Sequence, residues 1–192
     1  MFVLAGAISL GGCSAGRQVA EIGQFVRCEF RLHSIDNIRL AGVLMGNKSS
    51  YNDLTMSDLA QITSAMISGK LFLTFDANLQ VRNPNESLAA MNRMEYIILI
   101  DGSEMTRGML DWRIEVQPYG GITSFPVGIQ IDLLNVLSDK SGKAMTNFAL
   151  NLSGKGGEPS RVALKLKPTI MVGSRYIEYP GYITVRQEFT AY

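Results

Sequence analysis

Apolar and polar residues alternate with a period of two along most of the chain. The longest run has Leu71, Leu73, Phe75, Ala77, Leu79 and Val81 apolar, with Thr74, Asp76, Asn78, Gln80 and Arg82 between them. Period two sends the two sets to opposite faces of a strand, one towards a core and one towards solvent. The series begins with a strand over Phe25 to His33, which puts Cys28 on the inward face as a small hydrophobe. A second apolar-rich piece, Asn37 to Met45, follows a turn at Ser34-Ile35-Asp36. Asn83-Pro84-Asn85 stops the longest strand, because proline lacks a ladder donor and restricts the residue before it. Asparagine side chains there cap the turn backbone. Met91 to Ile100 is the next strand, and Asp101-Gly102 marks a tight hairpin. The return strand puts Leu110, Trp112, Ile114 and Val116 on one face, which makes Trp112, the single tryptophan, a core residue. Pro118-Tyr119-Gly120-Gly121 turns the chain into Phe125, Val127, Ile129, Ile131 and Leu133. Val162, Leu164 and Leu166 open a last hairpin, which Tyr182 to Phe189 closes.

The period changes twice. Thr55-Met56-Ser57-Asp58 is a capping-box pattern, Leu59, Ile62 and Met66 follow at helical spacing, and Gly69 ends the segment. Ala144, Phe148 and Leu152 are spaced four apart and predict a second short helix; Gly154 to Pro159 is a loop. Six or more one-sided strands with one or two short helices make a mostly β chain, an antiparallel β-sandwich of the fibronectin or immunoglobulin kind. The length, 192 residues, suits a single domain after the N-terminal segment.

That segment sets the compartment. No charged side chain precedes Arg17, and Phe2 to Leu10 is apolar but too short to span a bilayer. Its length fits the h-region of a secretory signal. Leu10-Gly11-Gly12-Cys13 then looks like a lipobox: an aliphatic residue, two small residues, and a cysteine to be acylated. The expectation is a signal peptide over 1–12, a tether over 13–24 carrying the lipid on Cys13, and one sandwich domain over 25–192. Several acyl chains, palmitate among them, anchor stably where one would not. The basic n-region of a signal is missing, which agrees with a start upstream of Met1. The rival use of the two cysteines is a Cys13–Cys28 disulfide. No acidic run follows Ser14, which suits an outer-membrane lipoprotein facing the periplasm.

Several of these residues carry a family resemblance. Leu79 to Asn85, a strand ending in an Asn-Pro-Asn turn, Tyr96 to Gly102, Gly108, and Gly121-Ile122-Thr123 together resemble the LEA type 2 (water-stress and hypersensitive response) family in its bacterial lipoprotein form. The resemblance covers roughly Lys70 to Leu133 well and the rest loosely. It implies a fibronectin-like sandwich with a short helix, and a protein that is not an enzyme. The family offers no catalytic residues to transfer.

Side-chain chemistry adds little. Lysine plus arginine number 18 and aspartate plus glutamate 17, so no long-range field recruits nucleic acid. His33, the single histidine, lies outward beside Arg31, and the chain lacks the His and Cys ligands of a zinc site. No nucleotide-binding glycine motif leads from a strand into a helix. Asp101, Glu104 and Asp111 are either a calcium cluster or simply the soluble side of a hairpin. Tyr176, Tyr179, Tyr182 and Tyr192 form either a partner surface or cross-strand aromatic pairs. No cofactor, metal or catalytic residue is expected. The sequence therefore suggests a lipid-anchored structural or interaction module that docks an envelope protein, with a stress-protective role in view. The alternative is a carrier for an apolar ligand such as lipid, held between the sheets.

Overall fold

The computed structural model describes residues 12–154, 160–172 and 174–189. The apolar segment 1–11, most of the glycine-rich loop and Tyr192 lie outside the described residues.

The stretch expected as a tether is helical. Helix α1 spans Gly12–Phe25. Its second half turns Glu21, Ile22 and Phe25 inward, while Arg17, Val19 and Ala20 stay exposed. Only Ile22 and Phe25 mark that inward face with apolar side chains, too few to register as a helical period. The first strand therefore begins later, as β1 (Glu29–Leu40). It is one long strand rather than two. The polar Ser34-Ile35-Asp36 stretch breaks the alternation through register shifts at Leu32/Ser34 and Asp36/Arg39, not through a turn. An extra residue at such a bulge leaves the ladder unbroken on either side. Asn78 steadies this region by donating to the Ser34 hydroxyl at 3.0 Å and to Asp36 at 2.6 Å.

After a tight turn at Ala41-Gly42 come the two-residue β2 (Val43–Leu44) and α2 (Met56–Ile67). The capping box forms at α2. The Asp58 amide donates to Thr55 Oγ1 at 3.2 Å, and Asp58 Oδ2 accepts from the Thr55 amide at 2.9 Å. Lys48 Nζ adds a 2.7 Å contact. These donors, Lys48 first, hold the Asp58 carboxyl down at about 2.

The alternating run is β3 (Phe72–Asn83), whose apolar set is buried along its whole length. The next strand divides into β4 (Ala89–Met91) and β5 (Arg93–Ile100). Asp101 and Gly102 have φ of 50° and 84°, the left-handed pair a two-residue hairpin requires, and lead into β6 (Ser103–Leu110). The return strand also divides: β7 (Ile114–Val116) pairs with β4, not with β5. Trp112 falls in the crossing between β6 and β7, where strand alternation does not apply, and is 45% exposed. The expectation of a core tryptophan is therefore wrong. Next come β8 (Gly121–Asp132), a short α3 (Leu133–Val136) and α4 (Gly142–Leu152). In α4, Met145, Ala149, Leu150 and Leu152 face the core and Ala144 is exposed, so the inward face is rotated from the one expected. Strands β9 (Ser160–Val172), β10 (Arg175–Glu178) and β11 (Ile183–Phe189) end the fold.

Two antiparallel sheets face each other. One has the order β2-β1-β3-β8. The other has β9-β5-β6 in series, with β10 and β11 both paired to the remaining edge of β9. Those last two are a single edge strand interrupted at Tyr179 to Tyr182. Leu32, Leu73, Leu79, Met94, Ile98, Ile131, Leu164 and Leu166 fill the space between the sheets and are fully buried. This is the expected β-sandwich. Tyr96 ties the layers, donating its hydroxyl to the Gly128 carbonyl of the opposite sheet at 3.1 Å. Its ring passes over Gly108, its cross-strand partner, where a Cβ would lie 2.3 Å from the tyrosine oxygen. Glycine at 108 is thus a packing requirement.

Asn83 joins the parts of one end. It is fully buried, and its Nδ2 donates to the carbonyls of Ser87 and Val116, both at 2.9 Å. Its Oδ1 accepts from the amide and the side chain of Asn85 at 3.0 and 2.7 Å. Asn85 in turn donates to the Gln24 carbonyl in the last turn of α1 at 3.1 Å. One asparagine thus links β3, the following loop, β7 and the N-terminal helix. Asn83→Ala strands several of these groups without water. It should lower stability by about 3 kcal/mol in urea unfolding, against less than about 1 kcal/mol for Gln80→Ala on the outward face of the same strand.

Candidate functional site

The groups that nucleophilic or acid–base chemistry would need are dispersed. His33 sits exposed at the first bulge of β1, with Arg31 Nη2 3.0 Å from its Nδ1. A guanidinium there cannot orient the ring as the carboxylate of a triad does. Cys28 is a free, buried thiol whose Sγ lies 3.5 Å from the Gln24 carbonyl. Burial, helped by the charge of Glu29, pushes the thiol up to about 11, so it stays protonated and inert at neutral pH. The three acids near the hairpin do not converge. Asp101 accepts from the Arg161 amide at 3.0 Å, Glu104 pairs with Arg107, and Asp111 holds Arg93 through two contacts of 2.9 and 2.6 Å. Each acid is engaged by a different partner, and no group of three or more metal-ligating side chains forms among the described residues.

The tyrosines also separate. Tyr176, on β10, is stacked under the Arg93 guanidinium at 4.4 Å from its ring centroid. Tyr182, just before β11, lies near Lys167 Nζ at 5.9 Å. Tyr179 sits at the interruption, with its amide donating to the Pro168 carbonyl at 2.9 Å. Tyr176 and Tyr182 thus meet cations, and no pairing of aromatic rings is seen among the described tyrosines.

The outward face of the second sheet carries a groove that the sequence reading did not nominate. Strand register places Leu99, Ala163 and Arg186 side by side, and Ile97, Lys165 and Thr184 in the adjoining row. An open groove of about 760 Å³ lies here, with Leu99 and Ala163 in its floor and Arg161, Lys165 and Arg186 around it. Among the described residues the charged lining is Arg161, Lys165, Arg186 and Asp101, whose Oδ1 accepts from a backbone amide. Low apolar walls beneath clustered cations favour an anionic group carried on a partly apolar body. Lys167 and Tyr182 continue the same face towards the other end of the sheet. The signal for this groove lay in Arg161, Lys165 and Lys167 at alternate positions of one strand. Arg186 became visible only through the pairing of β9 with β11.

No family model matches the chain, and no curated protein matches it. Solved structures similar to it include a protein from Archaeoglobus fulgidus, 18% identical over 65% of this chain and 87% of that one, with a TM-score of 0.35. A protein from Arabidopsis thaliana is 15% identical over 63% of this chain and 70% of its own, at 0.32. A putative late embryogenesis abundant (LEA) protein is 10% identical over 98% of this chain and 91% of its own, at 0.34. At such scores none of these superpositions assigns the chain to a family.

The state of Cys28 can be checked chemically. Its thiol should resist alkylation in the native protein and react on unfolding, as measured by mass shift against urea concentration. Because the folded value lies above the ordinary 9.0, the unfolded chain loses this proton first. Stability is therefore whole below pH 9 and falls as pH rises towards 11. Cys28→Ala should flatten that slope.

Proposed function

We propose that this is a non-catalytic, lipid-anchored module of the bacterial envelope, held by an acylated Cys13 and docked through the outward face of its second sheet to an acidic envelope protein. The membrane would be the outer one, with the sandwich facing the periplasm. The observation that carries the docking is the groove itself: Lys165 and Arg186 beside Leu99 and Ala163 on an exposed sheet. Tyr182 extends the contact area with a residue type that interface cores prefer. Cation clusters of this kind set on-rate and partner choice more than raw affinity. The dispersed positions of His33, Cys28 and the carboxylates support a role without covalent chemistry. A stress-protective task fits such a module, since a scaffold contact needs no turnover. The lipobox pattern at Leu10 to Cys13 supports the anchor. The packed side chains between the sheets favour this reading over carriage of an apolar ligand in the sandwich interior.

The test is photocrosslinking in cells from an unnatural residue at Thr184, on the groove. One recurrent envelope protein should be captured, and Lys165→Glu with Arg186→Glu should abolish that capture at unchanged protein abundance. Capture that survives the double charge reversal, or of phospholipid alone, contradicts the docking role.

A further inference from the structure

Exposed apolar side chains cluster at the end of the sandwich where α1 docks. Trp112, in the crossing from β6 to β7, follows Asp111, and Asp111 grips Arg93 through both carboxylate oxygens. Arg93 in turn stacks on Tyr176, whose cross-strand partner is Met171. Trp112, Tyr176, Ile177 and Met171 are all exposed. Strand β10 is exposed along its whole length, so neither of its faces is covered by the opposite sheet. On the other side of Trp112, Arg113 binds Glu21 of α1 at 2.7 Å. The two sequence neighbours of Trp112 therefore tie it to both sides, Arg113 to the N-terminal helix and Asp111, through Arg93, to Tyr176.

We infer that this end of the molecule lies on the lipid surface, with Trp112, Tyr176, Ile177 and Met171 seated in the interfacial layer of the bilayer. Three observations choose lipid as the occupant. Cys13 lies eight residues before Glu21 on one helix, about 12 Å along its axis, so a lipid on Cys13 would be held within a short reach of the Glu21–Arg113 pair beside Trp112. Tryptophan and tyrosine are the side chains that settle at headgroup depth, where one end of the ring is apolar and the other wet. The local charges are paired within the patch, Arg93 with Asp111, and Arg17 and Arg113 with Glu21 and Glu115, so these ion pairs leave no excess charge demanding a charged protein partner. Arg175, exposed at the start of β10, is placed to meet lipid phosphate. The groove around Lys165 lies towards the opposite end of the second sheet and is left facing away from the membrane.

This inference rests on the anchoring reading, and the two can fail separately. The lipidated full chain is reconstituted into vesicles of phosphatidylethanolamine and phosphatidylglycerol with brominated acyl chains, and Trp112 emission is read. The lipid on Cys13 is confirmed in parallel by the mass of the N-terminal peptide. A blue shift with quenching by the brominated chains is expected. In the Cys13→Ser full chain, vesicle partitioning should persist weakly, and Tyr176→Ser with Ile177→Ser should reduce it roughly tenfold at an unchanged thermal midpoint. Both residues are exposed, so the fold does not depend on them. Water-like Trp112 emission in a protein whose Cys13 carries lipid overturns the inference while the anchor stands. Quenched emission in a protein whose Cys13 is unmodified upholds it while the anchor falls. Self-association of the Cys13→Ser chain that shields Trp112 from acrylamide without vesicles also overturns it, since a second copy then covers the patch.

Discussion

The organisation of this protein depends on a buried asparagine. Asn83 ends the central strand of the first sheet, and each of its side-chain polar atoms is committed, two carbonyls to its Nδ2 and two Asn85 donors to its Oδ1. A fully satisfied amide in a dry site fixes geometry closely, because any displacement strands a polar group. Through Asn85 it adds a second donor to the Gln24 carbonyl at the C-terminal end of α1, beside the Arg27 amide. The Glu21 to Arg113 pair holds the same helix one turn earlier. The second half of α1 thereby becomes part of the fold.

That constraint gives the sandwich a direction. A helix docked at one end determines which surface meets whatever holds the N-terminus, and which surface points away. The exposed aromatic patch around Trp112 sits with the helix. The cationic groove around Lys165 sits towards the far end of the second sheet. A loose tether would let the domain tumble and would give neither surface a preferred direction. The rest of the architecture serves rigidity between the two: Tyr96 crosses from one sheet to the other over Gly108, and the layers between are solidly packed.

The strands that alternate without interruption were legible in the sequence, β3 above all, because burial on one face leaves a period of two that nothing local disturbs. The hairpin at Asp101-Gly102 and the Thr55 cap were legible for the same reason: each is set by residues adjacent in the chain. What could not be read depends on residues far apart. The inward face of α1 is built from Glu21 as much as from Ile22 and Phe25, and a buried glutamate looks polar until its arginine is found 92 positions later. Trp112 kept the strand period but fell where the chain changes sheets, a crossing that leaves no local mark. The groove needed Arg186 beside Ala163, which only the pairing of two strands supplies. The tyrosines at the end of the chain were visible as a group, yet their division between two surfaces follows from the interruption of the edge strand.

Amide hydrogen exchange of the full chain, resolved by peptide, tests the docked helix most directly. The account expects amides over the second half of α1, from Glu21 to Phe25, to exchange with protection comparable to β3, and to lose it together with β7 when Asn83 is replaced. Exchange of those amides at the rate of an unstructured peptide, with β3 still protected, would contradict it and return the N-terminal segment to a free tether.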